Sequence, residues 1–288
     1  MPEETPRAER TDYELLDAGD GRRLERFGDK VLDRPAPSAA DGRQDLAAWL
    51  AADLRYDAGQ WWQLARPVAP EAIEPWPIDV DGLTMQLRAT ASGGVGLYPE
   101  HATHLTWLGE QISARTTADH RPSVLNLFAH TGLLTLAAAR AGAGVAHVDA
   151  SRTAIAWARQ NADSAGLAEH PIRWIVDDAA AFTAREGRRG RRYDGIVLDP
   201  PSFGRAGRRE WRLVDELPAL LEACRAVAAD DPFVLLTAHT TGLDGAMLQD
   251  MLRTAFPATR SGLETVAIGV ESAFGHRLEL GWGVRLAR

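Results

Sequence analysis

The chain has 288 residues, of which 45% are apolar, and a formal net charge of −8. This length holds one large domain or two smaller ones, and the acidic balance argues against a protein that coats nucleic acid non-specifically. The apolar runs are far shorter than the ~20 residues of a membrane span, a secretory signal is not expected from the polar start, and the single cysteine, Cys224, excludes an internal disulfide and argues against a cysteine-based zinc site.

These features together predict a cytoplasmic protein that does not contact a membrane and has no metal site. The first part of the chain, residues 1–115, is expected to form a smaller α+β domain that serves as a substrate-recognition module. Its predicted elements, in chain order, are a loose polar tail at 1–10, short strands and turns over 11–35, a linker at 35–38, a helix at about 44–54, a hairpin from Trp76 to Ala89 around Asp81-Gly82, and an amphipathic helix at 99–115.

From Val124 onward the pattern alternates between strand and helix, which predicts a mostly parallel sheet covered on both faces. Residues 116–288 are therefore expected to form a Rossmann-like α/β domain with seven strands, and the last two strands, which no helix separates, form an antiparallel pair. The strands are predicted near 124–128, 145–149, 172–176, 194–199, 232–237, 263–270 and 276–284, and the helices near 132–141, 151–166, 178–186, 213–228 and 244–255.

The first strand of this domain ends in the small-residue turn Ala129-His-Thr-Gly132. In an open parallel sheet, ligands bind at the carboxyl ends of the strands where the strand order reverses. Gly132 lets the backbone approach a ligand closely because it has no Cβ. The turn has fewer glycines than a dinucleotide fingerprint and lacks the clustered donors of a pyrophosphate site, which favours S-adenosylmethionine (SAM) over NAD. His130 is expected to shape the methionine end of this pocket rather than to act as a base.

Carboxylates end the next two strands. Asp149 is placed to accept hydrogen bonds from ribose hydroxyls; its alternative role is to cap the following helix, which Ser151 can do instead. Of Asp177 and Asp178, one would suit an adenine amino group while the other caps a helix, and we favour Asp178 for adenine.

The fourth strand ends in Asp199-Pro-Pro-Ser-Phe203. Two prolines remove backbone donors, so this turn offers an acceptor-rich site, made by Asp199 and the Pro200 carbonyl, for a substrate N–H group. Phe203 can stack on a flat heterocycle; the alternative is a rigid strand exit with Phe203 in the core.

Two arginine clusters, at 185–192 and 205–212, flank this strand in sequence. If both lie at the same rim of the sheet, they can meet phosphates while Trp211 stacks on a base; the alternative is two solvated loops in a chain whose arginine bias reflects genome composition. Cys224 falls in an amphipathic helix, where a small buried thiol is expected.

Residues from about 78 to 288 resemble the class I SAM-dependent methyltransferases grouped with the bacterial 23S rRNA cytosine-5 methyltransferases. The matching motifs are Gly96-Leu-Tyr-Pro-Glu100, Leu125-Asn-Leu-Phe-Ala-His-Thr-Gly132, Val148-Asp149, Ala158-Arg-Gln-Asn161, Asp177-Asp178 and Asp199-Pro-Pro-Ser-Phe203. The resemblance implies SAM as the cofactor and large-subunit rRNA as the candidate substrate. It further implies a cofactor site that includes Asn126, where many such enzymes carry an acid, together with Phe128, Thr131, Ala150 and, from the Gly96–Glu100 segment, Tyr98.

The chain departs from this branch in two respects. Cytosine-modifying members carry a cysteine after the fifth strand, where this chain reads Thr237-Ala238-His239, and they begin with a PUA RNA-binding domain that residues 1–75 do not match. A relative in the branch methylates a guanine nitrogen without a cysteine. We therefore expect direct methylation of a nucleobase nitrogen in RNA; the alternatives are a methyltransferase for a small molecule or a protein side chain, and a non-catalytic SAM-binding assembly factor.

Overall fold

The computed structural model describes residues 12–206, 209–257 and 262–287. These residues form two compact units, one comprising the chain up to Ala102 together with Gly269–Leu280, and the other comprising Thr103–Ile268 and the chain from Gly281 onward. The predicted polar tail lies outside the described residues. The assignment of substrate recognition to residues 1–115 and of catalysis to 116–288 stays a prediction.

The first unit is mostly β, with one short α-helix in its described part. Six strands form a sheet in the order β1-β2-β3-β4-β5-β6, and a separate hairpin pairs β7 with β8 across Asp81-Gly82 as the sequence predicts. The strands are β1 (Tyr13–Gly19), β2 (Arg22–Phe27), β3 (Lys30–Pro35), β4 (Leu54–Asp57), β5 (Gln60–Gln63), β6 (Arg66–Val68), β7 (Trp76–Val80) and β8 (Leu83–Leu87), and helix α1 covers Leu46–Leu50. The helix is shorter than the range of 44–54 that the sequence predicts.

The second unit follows the predicted alternation, which confirms the α/β fold. Its helices are α2 (Leu105–Arg115), α3 (Leu133–Arg140), α4 (Arg152–Ser164), α5 (Ala179–Arg188), α6 (Leu213–Val227) and α7 (Gly245–Ala255). Its sheet is built from β9 (Ser123–Leu127), β10 (Gly144–Asp149), β11 (Ile172–Val176), β12 (Tyr193–Leu198), β15 (Ala228–Ala238), β16 (Leu263–Glu271) and β17 (Arg277–Leu286), and a hairpin of β13 (Phe203–Ala206) and β14 (Arg209–Arg212) follows β12. Residues 269–271 of β16 and 277–280 of β17 belong to the first unit.

The seven strands lie in the order β11-β10-β9-β12-β15-β17-β16. Strands β9 to β12 and β15 are parallel, whereas β17 runs antiparallel to β15. The chain moves outward from β9 through β10 to β11 and then returns to the other side of β9 with β12. The strand order therefore reverses between β9 and β12, and this switch point is where an open α/β sheet binds its ligand.

A continuous apolar core holds these strands in place. Leu125, Leu127, Ile196 and Leu198 on the central strands are fully buried against the α5 and α6 helices. The sequence placed a single helix at 99–115, whereas the structure divides it into a 3-10 turn at Pro99–His104 and α2. None of the helices in the described part of the chain combines the length and apolarity that a membrane span requires.

Candidate functional site

The turn after β9 carries unusual backbone geometry. Phe128, His130 and Gly132 have φ angles of 56°, 49° and 96°, so every second residue of this turn is in the left-handed region. Such conformations cost on the order of 1–3 kcal/mol each for residues other than glycine, and they cluster at ligand sites. The turn therefore stores strain at the carboxyl end of the central strand, where the fold predicts a ligand.

Gly132 is required here by packing as well as by its φ angle. A Cβ at this position would lie 3.2 Å from the Ala158 Cβ, so the absence of a side chain lets α4 approach the start of α3. In the same region, the Asn161 Nδ2 donates to the Thr131 carbonyl at 2.8 Å, and Thr131 itself is buried. The close approach that the sequence predicts at Gly132 is thus, in the structure, an approach between helix and turn.

Asn126 is only 3% exposed and belongs to a buried polar chain. Its Nδ2 donates to the Thr135 Oγ1 at 2.8 Å, and that hydroxyl lies 2.8 Å from the His147 Nδ1. Burial lowers the pKa of His147 to about 3, so its ring stays neutral inside the fold. These hydrogen bonds could not be predicted from the sequence, because the three residues lie on two strands and a helix and no local pattern indicates that they are in contact.

Asp149 lies at the end of β10, beside the strained turn. Its Oδ2 accepts from the His130 backbone N–H at 2.8 Å and its Oδ1 accepts from the Ser151 N–H at 2.8 Å. Ser151 caps α4, since its Oγ accepts from the Ala154 N–H at 3.1 Å. Asp149 is therefore not the helix cap, and it orients the turn; Ala150, directly after it, is exposed.

The two carboxylates at the end of β11 have different partners. Asp178 is the cap of α5, and its Oδ1 accepts from the Ala181 N–H at 2.8 Å. Asp177 forms an ion pair with Arg185 and accepts from the Asp178 N–H at 2.9 Å. The expectation that Asp177 would cap the helix was wrong, because the cap position is the residue immediately before the first helical one.

Asp199, at the end of β12, faces the end of β15. Its Oδ1 accepts from the Thr237 Oγ1 at 2.6 Å and lies 3.3 Å from the His239 Nε2. Two of the backbone carbonyls that follow Asp199 accept hydrogen bonds. The Trp211 Nε1 donates to the Pro201 carbonyl at 2.8 Å, and the Leu213 N–H donates to the Ser202 carbonyl at 3.1 Å.

Within the part of the chain that the structure describes, no donor reaches the Pro200 carbonyl. The acceptors at this turn are therefore the Asp199 carboxylate and the Pro200 carbonyl, the pair that the sequence singles out.

The two aromatic residues of the β13–β14 hairpin, Phe203 and Trp211, differ in exposure. Phe203 is 74% exposed at the start of β13, so it is not a core residue. Trp211 is only 7% exposed, packs with its ring 5.2 Å from that of Phe128, and joins the main apolar core. The suggestion that Trp211 stacks on a base was wrong, because its indole is buried in the core beside Phe128.

The two arginine clusters do not lie at the same rim of the sheet. Arg188 to Arg192 immediately precede β12 and so lie at its amino end, whereas the β13–β14 hairpin follows the carboxyl end of the same strand. A strand of six residues separates them by roughly 20 Å. The expected common rim was therefore wrong. Gly207 and Arg208 of the second cluster lie outside the described residues.

Cys224 lies in the interior of α6 and is fully buried. Burial raises the pKa of its thiol to about 12, so the thiolate that a nucleophile requires does not form near neutral pH. The expected structural role of this residue is confirmed.

The first unit carries Tyr98 and a cleft of its own. Tyr98 is half exposed, with its ring 6.2 Å from that of His101. Trp61 is buried and donates to the Thr90 carbonyl at 2.7 Å, so of the adjacent tryptophans it is the core residue. Trp62 lines a cleft of about 650 Å³, together with Leu46, Trp49, Leu50, Leu64, Arg43 and Arg55 among others.

Comparison with known proteins places this geometry in a family context. A family model described as S-adenosylmethionine-dependent methyltransferase matches residues 17–233. A solved SAM-dependent methyltransferase from Agrobacterium tumefaciens is 34% identical with a TM-score of 0.86, covering 96% of this chain and 90% of that one. A Streptococcus mutans structure, 16% identical with a TM-score of 0.75, shares the fold over 96% of this chain and 75% of its own.

Two curated relatives match shorter segments. Ribosomal RNA large subunit methyltransferase I of Aeromonas salmonicida is 30% identical over 153 residues, which cover 53% of this chain and 34% of that protein. Ribosomal RNA large subunit methyltransferase K of Neisseria meningitidis is 36% identical over 109 residues, covering 38% of this chain and 29% of that protein. The matched segment spans about a third of the length of these curated relatives.

Proposed function

Because this chain belongs to the family of S-adenosylmethionine-dependent methyltransferases, we propose that it transfers the methyl group of SAM to a nucleobase nitrogen in RNA, with large-subunit rRNA as the first substrate to test. The names of the two curated relatives support RNA as the substrate class. Direct transfer to nitrogen is supported by the acceptor groups at the end of β12 and by the burial of the only cysteine.

The carboxylates at the strand ends fit the hydrogen-bond donors of SAM. Asp149 beside the strained turn suits the ribose hydroxyls and Asp178 suits the adenine amino group, because each ligand group is a donor and each side chain an acceptor. Asp199 borders the same site from the end of β12. Bound SAM supplies an electrophilic methyl group on a sulfonium. The roles of Phe128, His130, Thr131, Ala150 and Tyr98 in this site are part of the same proposal.

The observation that carries the proposed substrate is the Asp199-to-Phe203 turn. Asp199 and the Pro200 carbonyl present acceptors that can hold an amino or imino N–H, and the exposed ring of Phe203 provides a face for the base. Once the nitrogen lone pair is aligned with the methyl group, positioning supplies most of the rate enhancement. The residues of this turn therefore need only bind, orient and accept a proton.

A carbon-directed route lacks its nucleophile. Attack on a ring carbon such as cytosine C5 normally needs a cysteine adduct, and the chain has one cysteine, whose thiol is buried and has a raised pKa. At the end of β15, where the cytosine-modifying branch carries its cysteine, this chain has the buried Ala238. These facts favour nitrogen as the acceptor atom.

The experiment is methyl transfer from labelled SAM with purified protein and an extract from a strain that lacks the gene. The extract is divided into ribosomal subunits, free RNA, protein and small molecules. We expect label in the RNA of the large subunit, and nucleoside mass spectrometry then identifies the methylated atom. Label found only in protein or small molecules would show that RNA is not the substrate. SAM binding without turnover on any fraction would indicate a non-catalytic binding protein.

Variants make this test specific to the turn. Asp199→Ala should abolish transfer while SAM binding stays nearly intact, and Phe203→Ala should raise the KM for RNA. Phe274→Ala, which removes another exposed phenylalanine, is the matched control and should behave as wild type. Full activity of Asp199→Ala would refute the assignment of this turn.

A further inference from the structure

Two loops at the carboxyl edge of the sheet are joined to each other at both ends. Because β12 and β15 are parallel neighbours with Leu198 opposite Leu236, the Asp199–Phe203 turn lies beside the segment from Thr237 to Thr240. The Thr237 Oγ1 donates to the Asp199 Oδ1 at 2.6 Å, and the Ser202 Oγ lies 2.7 Å from the Thr240 Oγ1. The second loop thus forms a wall of the same site.

His239 lies between these two links and faces Asp199. Its Nε2 is 3.3 Å from the Asp199 Oδ1, the same oxygen that accepts from Thr237. Both side chains are only partly exposed, with 28% of His239 and 21% of Asp199 accessible. A threonine hydroxyl and an imidazole nitrogen therefore converge on one oxygen of the carboxylate.

The backbone that carries His239 is held from behind by β17. A Cβ at Gly281 would lie 2.2 Å from the Ala238 carbonyl oxygen and 3.1 Å from the His239 Cα. Position 281 therefore accepts only glycine without displacing the peptide that leads to His239. Packing against β17 therefore fixes the backbone from which the imidazole extends.

We propose that His239, together with Thr237, is a positioning residue that fixes the Asp199 carboxylate for methyl transfer. This inference rests on the proposed function, in which Asp199 orients the acceptor nitrogen. The hydrogen bond from Thr237 and the imidazole nitrogen 3.3 Å from the same oxygen restrict the orientation of the Asp199 carboxylate. Misplacement of a reacting group by about 1 Å can cost about 100-fold in rate. Where the cytosine-modifying branch has a nucleophile, this chain has a segment that orients an acid.

The first test compares three replacements of His239. We expect His239→Ala and His239→Phe to lower kcat by 10-fold or more, with the KM for RNA and the Kd for SAM within about 3-fold of wild type. His239→Gln, which keeps an N–H donor, should recover most of the rate. Equal activity of the Phe and Gln variants, or wild-type turnover of His239→Ala, would overturn the proposal.

A matched control exists at the other end of the same strand. His120 lies 3.2 Å from the Asp194 carboxylate at the amino end of β12, so His120→Ala removes a similar pair far from the turn. It should leave kcat unchanged. Thermal unfolding of every variant identifies loss of folding, and a rate loss in His239→Ala that follows its loss of folded protein would count against a positioning role.

The second test does not depend on the substrate. In protein with ¹⁵N-labelled histidine, Asp199→Asn replaces the carboxylate beside His239 by an amide, so the imidazole ¹⁵N resonances of His239 should shift while those of His120 stay constant. Unchanged His239 resonances would refute the contact even in a protein whose substrate is not RNA. If the resonances shift but no RNA is methylated, the proposed substrate fails and the His239–Asp199 pair stands.

Discussion

Gly132 combines two constraints that can be separated by mutation. It has a φ of 96°, and a Cβ would press on the Ala158 Cβ at 3.2 Å. Gly132→Ala should lower the free energy of unfolding by the left-handed penalty of about 1–2 kcal/mol plus the cost of displacing α4. Because the turn also forms the cofactor site in our proposal, the Kd for SAM should rise. Urea denaturation and calorimetric SAM titration measure the two effects.

Gly142 is the control for the energetic cost of the left-handed backbone conformation alone. It has a φ of 101° at the end of α3, and a Cβ there would meet no atom within 4 Å. Gly142→Ala should show the left-handed penalty alone, with SAM affinity unchanged. If the two variants lost equal stability and both bound SAM normally, the contact with Ala158 would have no energetic consequence.

At the level of single residues, the sequence predicts position better than partners. Asp149, Asp178 and Asp199 lie at strand ends as expected, since strand ends follow from the apolar pattern. The helix cap at Asp178 instead of Asp177 depends on where the helix begins within one residue, a boundary that patterns do not fix. The buried contacts of Asn126 join distant segments, and no local signal indicates them.

The cap of α5 offers a prediction at the level of an element. Asp178 holds the Ala181 N–H with one oxygen, and asparagine serves equally well as a cap. Asp178→Asn should therefore leave stability within about 0.5 kcal/mol, whereas Asp178→Ala should cost about 1 kcal/mol. If the carboxylate also binds adenine, both variants should weaken SAM by roughly 10-fold, the loss of a charge-assisted hydrogen bond.

Asp244 provides the comparison for this cap, because it holds the Met247 N–H at the start of α7 in the same way. Asp244→Asn should change neither stability nor SAM affinity. Unaltered SAM binding in Asp178→Asn would remove Asp178 from the cofactor site and leave it a purely structural cap.

At the same level, the length of β12 explains why the two arginine clusters do not share a rim of the sheet. The two arginine clusters are close to β12 in sequence, but they flank its opposite ends, and a parallel strand separates its ends by its full length. The β13–β14 hairpin was missed because Phe203-Gly-Arg-Ala and Arg209-Glu-Trp-Arg lack the apolar alternation that predicts strands. The long sheet elements were predicted because their buried residues form continuous apolar runs.

For the molecule as a whole, His147 predicts a dependence of stability on pH. Burial lowers its pKa from about 6.5 to about 3. The unfolded chain binds a proton below pH 6.5 that the folded chain does not, so stability is complete above that pH and is lost as the pH falls toward 3. Between pH 7 and pH 5 this single group should remove about 2 kcal/mol from the free energy of unfolding.

His147→Gln isolates that contribution, since glutamine does not titrate and can still hydrogen-bond Thr135. The measurement is urea denaturation of both proteins at pH 7 and pH 5. The variant should be less stable than wild type at pH 7, and the gap should narrow by about 2 kcal/mol at pH 5. A constant gap would mean that burial does not lower the pKa of His147 and that the ring binds protons equally in the folded and unfolded chains.

If the substrate is RNA, as we propose, the position of the β13–β14 hairpin predicts which arginine contacts it. Arg212 is exposed and lies directly opposite Phe203 in the register of the hairpin, so its guanidinium is within reach of the phosphate of a base on the Phe203 ring. Each phosphate contact to single-stranded RNA adds about 0.7 to the slope of log affinity against log salt. Arg212→Gln should therefore weaken RNA binding at low salt and lower that slope by about 0.7.

Arg191→Gln makes the same charge change at the amino end of β12, roughly 20 Å from the turn, and should leave the slope as it is. Fluorescence anisotropy of an RNA fragment, measured from about 50 to about 300 mM salt, distinguishes the two variants, because phosphate contacts weaken steeply over this range. If Arg191→Gln lowered the slope and Arg212→Gln did not, the RNA would approach from the amino edge of the sheet. Asp199 and Phe203 would then lie on the wrong edge to act on it.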